Sequence, residues 1–149
     1  MPLRIVGGVT PITTAPMGMD KYGDSTVISE DGGPAAVTLT GWSARSGFPN
    51  TVITGDALVA QGPGTVTVRC RVQLAANWTA TSRYLRLLLM QNNTQVASAD
   101  FAVGAAALTL GDTALTLASG DRIWVRMATT DERGVTVQSG SNTYLYYDA

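Results

Sequence analysis

The chain has 149 residues, a net charge of -1 and no histidine, with 45% hydrophobic and only 14% charged residues. The missing histidine excludes Ser-His-Asp and Cys-His catalysis and the commonest zinc ligand. The near-neutral balance excludes the basic stripe of a nucleic-acid-binding domain, and no window approaches the ~20 apolar residues of a membrane-spanning helix.

A charged share well under the ~25% usual for globular proteins leaves two readings open. Either much of the surface is covered by other subunits, or this is a thinly charged monomeric β protein. Cys70 is the one cysteine, so no internal disulfide forms.

Residues 1–34 contain Pro2, Pro11, Pro16 and Pro34, clustered glycines, and the short β-prone pieces LRIVGGV and STVISE. No sustained period runs through them, so they are expected to form an extended N-terminal arm rather than part of a domain. The apolar positions Leu3, Ile5, Val6, Val9, Ile12, Val27 and Ile28 are its candidate docking residues. The opening MPLRIVGGVTPITT is too broken by Pro2, Gly7, Gly8 and Pro11 to read as a secretory leader.

Residues 35–149 read as a single all-β domain. After AAVTLTGWSARSGFP, the Gly62-Pro63-Gly64 turn launches TVTVRCRVQL, where Val66, Val68, Cys70, Val72 and Leu74 alternate with polar residues. That period of two marks a strand with one buried face. SRYLRLLLMQ and QVASADFAV follow, joined at Asn92-Asn93, because Asn tolerates the positive φ of a tight hairpin. ALTLGDTALTLASGDRIWVRMA turns at Gly111-Asp112 and Gly120-Asp121, and GVTVQS and TYLYY complete the pattern. Turn signals at short intervals with no helical period indicate a sandwich or barrel.

Two strands are apolar on both faces. In YLRLLLMQ, Leu85, Leu87 and Leu89 oppose Tyr84, Leu88 and Met90; in TYLYY, Leu145 and Tyr147 oppose Tyr144 and Tyr146. A sandwich covers one face of each sheet, so the second face requires the arm or another subunit. Tyr84, Leu88, Met90, Trp124, Tyr144 and Tyr146 are therefore the candidate subunit-contact residues. Alternation alone does not decide which face of TYLYY meets a neighbour and which fills the core.

Other constellations point to no chemistry. Asp112-Thr113-Ala114 resembles the aspartic-protease triplet, but it follows Gly111 as a turn aspartate does, and the apolar-Gly loop that accompanies the triplet is missing. Calcium takes six to eight oxygens, and the scattered carboxylates Asp121, Asp131 and Glu132 read instead as solvated loop residues. Trp42, Trp78 and Trp124 are too scattered to read as one sugar-stacking platform, and they are assigned to core or interface. Arg69, Arg71 and Arg126 are either solvated or paired with a neighbouring subunit's carboxylates. No catalytic residue, metal or cofactor is expected.

The order of these pieces resembles the globular heads of the complement and tumour-necrosis-factor superfamily. GPGTVTVRCRV matches the turn and first long strand of those heads, and YLRLLLMQNNTQVASAD matches the central hairpin. LTLASGDRIWVRMATTDERGVTV and SGSNTYLYYDA match the closing strands. The resemblance spans about residues 51–149. It implies a jelly-roll β-sandwich of about ten strands, assembled as a homotrimer with the last strand in the inner sheet near the threefold axis, which places Tyr144 and Tyr146 in the subunit contact and Leu145 and Tyr147 in the core, with the reverse assignment left open. Thr67 and Arg69 stand where the family has aromatic residues, and a Pro/Gly arm replaces the collagen-like stalk.

A jelly roll with such an arm also looks like a bacteriophage virion protein. That implies a non-enzymatic structural protein, assembled in the host cytoplasm and docked through its arm on the major capsid protein or on tail proteins. Capsid decoration is placed ahead of a minor tail role. The alternative is a receptor- or glycan-binding head of a tail or fibre, acting through loops 75–82 and 129–134.

Overall fold

The structure is a computed structural model that describes residues 13–149. Leu3, Ile5, Val6, Val9 and Ile12, the first five docking candidates, lie outside the described residues.

The described residues are all β, in fourteen strands. The first half contributes β1 (Met17–Lys21), β2 (Ser25–Val27), β3 (Ala35–Thr38), β4 (Trp42–Ala44), β5 (Ile53–Thr54), β6 (Ala57–Val59) and β7 (Gly64–Gln73). The second contributes β8 (Leu85–Gln91), β9 (Thr94–Asp100), β10 (Ala107–Thr109), β11 (Thr113–Leu117), β12 (Arg122–Thr129), β13 (Val135–Val137) and β14 (Gly140–Asp148). The excess over the expected ten comes from short strands: β10 and β11 pair with successive parts of β7, and β6 and β3 with successive parts of β12.

One sheet runs β10-β7-β14-β1-β4, with β11 also paired to β7. The other runs β5-β6-β12-β8-β9, with β3 also paired to β12. A short β2–β13 pair makes a third. Two antiparallel sheets with crossovers between them make a jelly roll.

The alternation in β7 places Val66, Val68, Cys70 and Val72 in the core. They meet Leu85, Leu87, Leu89, Ile123, Val125 and Met127 from the opposite sheet in one continuous cluster. Asn92 takes φ 54° at the β8–β9 hairpin, as the Asn-Asn pair requires.

The expected arm needs correction. Strand β1 lies inside the first sheet, between β14 and β4, and Met17 and Met19 are fully buried core residues. Val27 pairs with Val135 and is also core, and Ile28 is half-buried beside Gly134. Residues 17–27 therefore belong to the sandwich, and Val27 is not a free docking residue. The sequence concealed this because each strand is only a few residues long, too short to establish a period, and Pro16 and Gly23 interrupt them.

Candidate assembly surface

Residues directly opposite one another in an antiparallel pair share a face. In the first sheet the register pairs Gly18 with Tyr146, Asp20 with Tyr144, Tyr144 with Arg71 and Tyr146 with Arg69. The side chains between them, Met17, Met19, Cys70, Leu145 and Tyr147, point into the core. Tyr144, Tyr146, Arg69 and Arg71 therefore form the outward face of this sheet, and both tyrosines are half-buried within a single chain.

The face is organised as an aromatic and arginine ladder. The Tyr144 and Tyr146 rings lie 5.3 Å apart, and Phe48 adds a third ring 5.4 Å from Tyr146. The Arg45 guanidinium lies 4.6 Å from the Tyr144 ring centre, and that of Arg69 lies 5.7 Å from the Tyr146 ring centre. Such cation–π contacts order the arginines as well as attracting them.

Phe48 comes from the loop after β4, and Gly18 holds the loop in place. Arg45 N–H donates to the Gly18 carbonyl at 2.8 Å. The Thr51 hydroxyl receives the Gly18 N–H at 3.0 Å and donates to the Phe48 carbonyl at 2.8 Å.

Charges on this face are paired within the chain. Arg45 bonds Asp20, and Arg69 bonds both Asp148 and Asp112. The Asp148 and Asp112 carboxylates hold the Arg69 guanidinium above its usual range. Arg71 instead donates to the Asn142 carbonyl at 3.2 Å and the Gln73 amide oxygen at 3.1 Å. Of the two alternatives left open for Arg69, solvated or paired with a neighbour's carboxylate, neither describes it, since its own chain supplies two carboxylates.

The six contact candidates do not converge. Tyr144 and Tyr146 lie on the ladder. Leu88 and Met90 face outward from the other sheet, where the register sets Leu88 opposite Arg126 and Met90 opposite Trp124. Tyr84 sits on that same side, beneath the Arg86 guanidinium at 4.9 Å. One contact surface cannot hold all six. Leu88 and Met90 are already 7% and 5% exposed in the single chain, outside the core cluster. That burial is reached within the single chain, so this face does not require a subunit. The sequence hid this burial because it depends on cross-strand register. Phe48, Arg45 and Gly18 were missed for a related reason: a loop residue reaches a sheet only through tertiary contact.

The loop carboxylates are each committed locally. Asp121 accepts from the Ala118 N–H at 2.8 Å and from Asn92 and Gln91, and these donors, Ala118 first, hold it below its usual range. Asp131 is buried and accepts the Arg133 N–H at 2.8 Å and its guanidinium at 3.1 Å. Loops 75–82 and 129–134 do meet. They border adjoining clefts of about 290 and 430 Å³ that share Thr79, Asp131 and Arg133.

No protein-family model and no curated protein matches the chain. Solved structures do. The Eiger TNF structure from S. frugiperda aligns with a TM-score of 0.62 at 13% identity, covering 93% of this chain and 96% of that one. Murine APRIL at pH 5.0 aligns with a TM-score of 0.59 at 11% identity, covering 90% and 97%. At that identity the likeness establishes the fold, a tumour-necrosis-factor-like jelly roll.

Proposed function

We propose that the protein is a non-enzymatic structural subunit that forms a homotrimer through the outward face of its first sheet. The observation that carries this reading is the preformed ladder of Phe48, Tyr144 and Tyr146 with Arg45 and Arg69. Aromatic and arginine side chains are the groups enriched at the centres of protein interfaces. Here they are ordered before association, which lowers the entropy lost on binding. The trimer itself is suggested by the likeness to the tumour-necrosis-factor fold. Light scattering on the purified protein is expected to give three times the 15.6 kDa chain mass; a stable monomer would refute the reading.

The finer proposal is a bacteriophage virion protein, a capsid decoration or minor tail component docked on the particle. Its support is the sparse charge and the Pro/Gly-rich segment that precedes β1. Because β1 is an interior strand and Met17, Met19 and Val27 are core residues, deleting residues 1–34 would destroy the fold and test nothing. Deleting residues 1–12 is the informative variant, and it is expected to remain folded and fail to enter particles. Undiminished incorporation would sink the docking idea.

A second reading, a receptor-binding head, is favoured by the meeting of loops 75–82 and 129–134 around the adjoining clefts. It predicts that Arg133→Ala, with assembly intact, abolishes attachment to the host.

A further inference from the structure

Strand β12 changes partner along one edge. Arg122 and Ile123 pair with β6, whereas Arg126 to Thr129 pair with β3. Trp124 falls at the junction on the outward face, half-buried. A cleft of about 360 Å³ opens there, lined by Thr38, Gly55, Asn92, Asn93, Arg122 and Trp124. Its size lies within the range of small-ligand sites.

The indole is held in a fixed orientation. Its N–H donates to the Asn92 carbonyl at 2.8 Å. Asn92 is fixed in turn, because its side chain accepts the Arg122 N–H at 3.0 Å and donates to Asp121 at 3.0 Å. The Arg122 guanidinium donates to the carbonyls of Thr54 and Gly55 at 3.0 and 3.1 Å. Gly55 has φ 56°, and a Cβ there would come within 2.8 Å of the guanidinium, so glycine is needed for this clasp. Among the described residues, the one cation lining the cleft is thus bonded to backbone, and no carboxylate lines it. The Thr38 hydroxyl and Asn93 amide are exposed and make no side-chain hydrogen bond among the described residues.

We propose that this cleft binds a neutral pyranose ring of a saccharide, stacked on Trp124 and hydrogen-bonded by Asn93 and Thr38. The C–H face of a pyranose carries slight positive charge and suits the negative face of an aromatic ring. Sugar hydroxyls donate and accept, and an amide beside a hydroxyl answers both senses. The bonded state of Arg122 and the lack of a carboxylate favour an uncharged ligand. The cleft is shallow, so affinity per site is weak, on the order of 1–10 mM. Three copies on one particle would raise it by avidity. The site lies on the sheet opposite the tyrosine ladder, so the proposed assembly leaves it uncovered, and the inference does not depend on that assembly.

The test is titration of the full chain with chitotriose, maltotriose and lactose, followed by saturation-transfer NMR and tryptophan fluorescence. At least one probe is expected to bind and to perturb the fluorescence. Trp124→Ala and Asn93→Ala are each expected to weaken it about tenfold or more. Asn93 is an exposed turn residue, so its variant folds and keeps the test valid even if Trp124→Ala does not. No binding of any probe by about 10 mM overturns the proposal. So does binding that survives both substitutions, or binding lost in Arg133→Ala but kept in Trp124→Ala.

Discussion

Gly18 lies directly opposite Tyr146 in the β1–β14 pair, and the absent side chain leaves the space that the Phe48 ring occupies. A Cβ at Gly18 would come within 2.9 Å of the Tyr146 Cβ and 3.0 Å of Phe48 Cδ2. One missing methyl group thus lets a loop aromatic join a sheet.

Gly18→Ala is therefore expected to push Phe48 off the sheet and destabilise the chain by about 1–3 kcal/mol, the usual cost of overpacking. Urea unfolding measures this directly. An unchanged midpoint would mean that the loop gives way freely and that the ladder is not rigid.

Tyr146→Ser removes the central ring, which touches Phe48 and lies under Arg45 and Arg69. The fold should persist, because Tyr146 lies outside the core cluster, with a loss of about 1–2 kcal/mol from the aromatic contacts. Oligomeric mass by light scattering should fall to that of one chain. Leu88→Ser, on the other sheet, should leave the mass unchanged.

Burial pushes the Cys70 thiol from its ordinary 9.0 up to about 12. A raised folded pKa means that the unfolded chain loses this proton first. The stabilisation is complete below pH 9.0 and is lost as pH rises toward about 12. Tyr147, raised by desolvation and opposed by its hydrogen bond with the Thr14 hydroxyl, acts in the same direction. Stability should therefore fall with pH across that window, and Cys70→Ala should flatten the fall by about 1.4 kcal/mol per pH unit. Equal slopes in both proteins would disprove the assignment.

Asp131 behaves in the opposite sense. Its side chain is 4% exposed, and Arg133 holds its carboxyl below the ordinary 3.8. Its stabilisation is present above that value and is lost as pH falls through the lower folded one. Asp131→Asn should cost about 1–3 kcal/mol near neutrality and lose less than the parent on acidification. Denaturant midpoints at about pH 6 and about pH 3 supply the comparison.

Much of the fold was legible in the sequence, and for a local reason. Val66 to Leu74 alternate strictly, Asn92-Asn93 carry a turn that needs positive φ, and Leu85, Leu87 and Leu89 recur every second residue. Period and turn chemistry are properties of neighbouring residues, so the all-β class and the long strands follow from them. The doubly apolar TYLYY segment likewise pointed to the outward tyrosines, which became the ladder.

Tertiary structure alone decided the rest. Residues 17–21, which resembled an arm, became an interior strand because β14 and β4 satisfy both of their edges. Leu88 and Met90, which resembled contact residues, are already buried in the single chain, on a strand paired with residues more than thirty positions away. Trp124, grouped with the tyrosines by composition, lies on the opposite side of the sandwich. The sequence by itself determined which residues are apolar and how often they recur. Which face each apolar residue shares, and with whom, depends on register between distant strands, and only the packed sandwich sets that register.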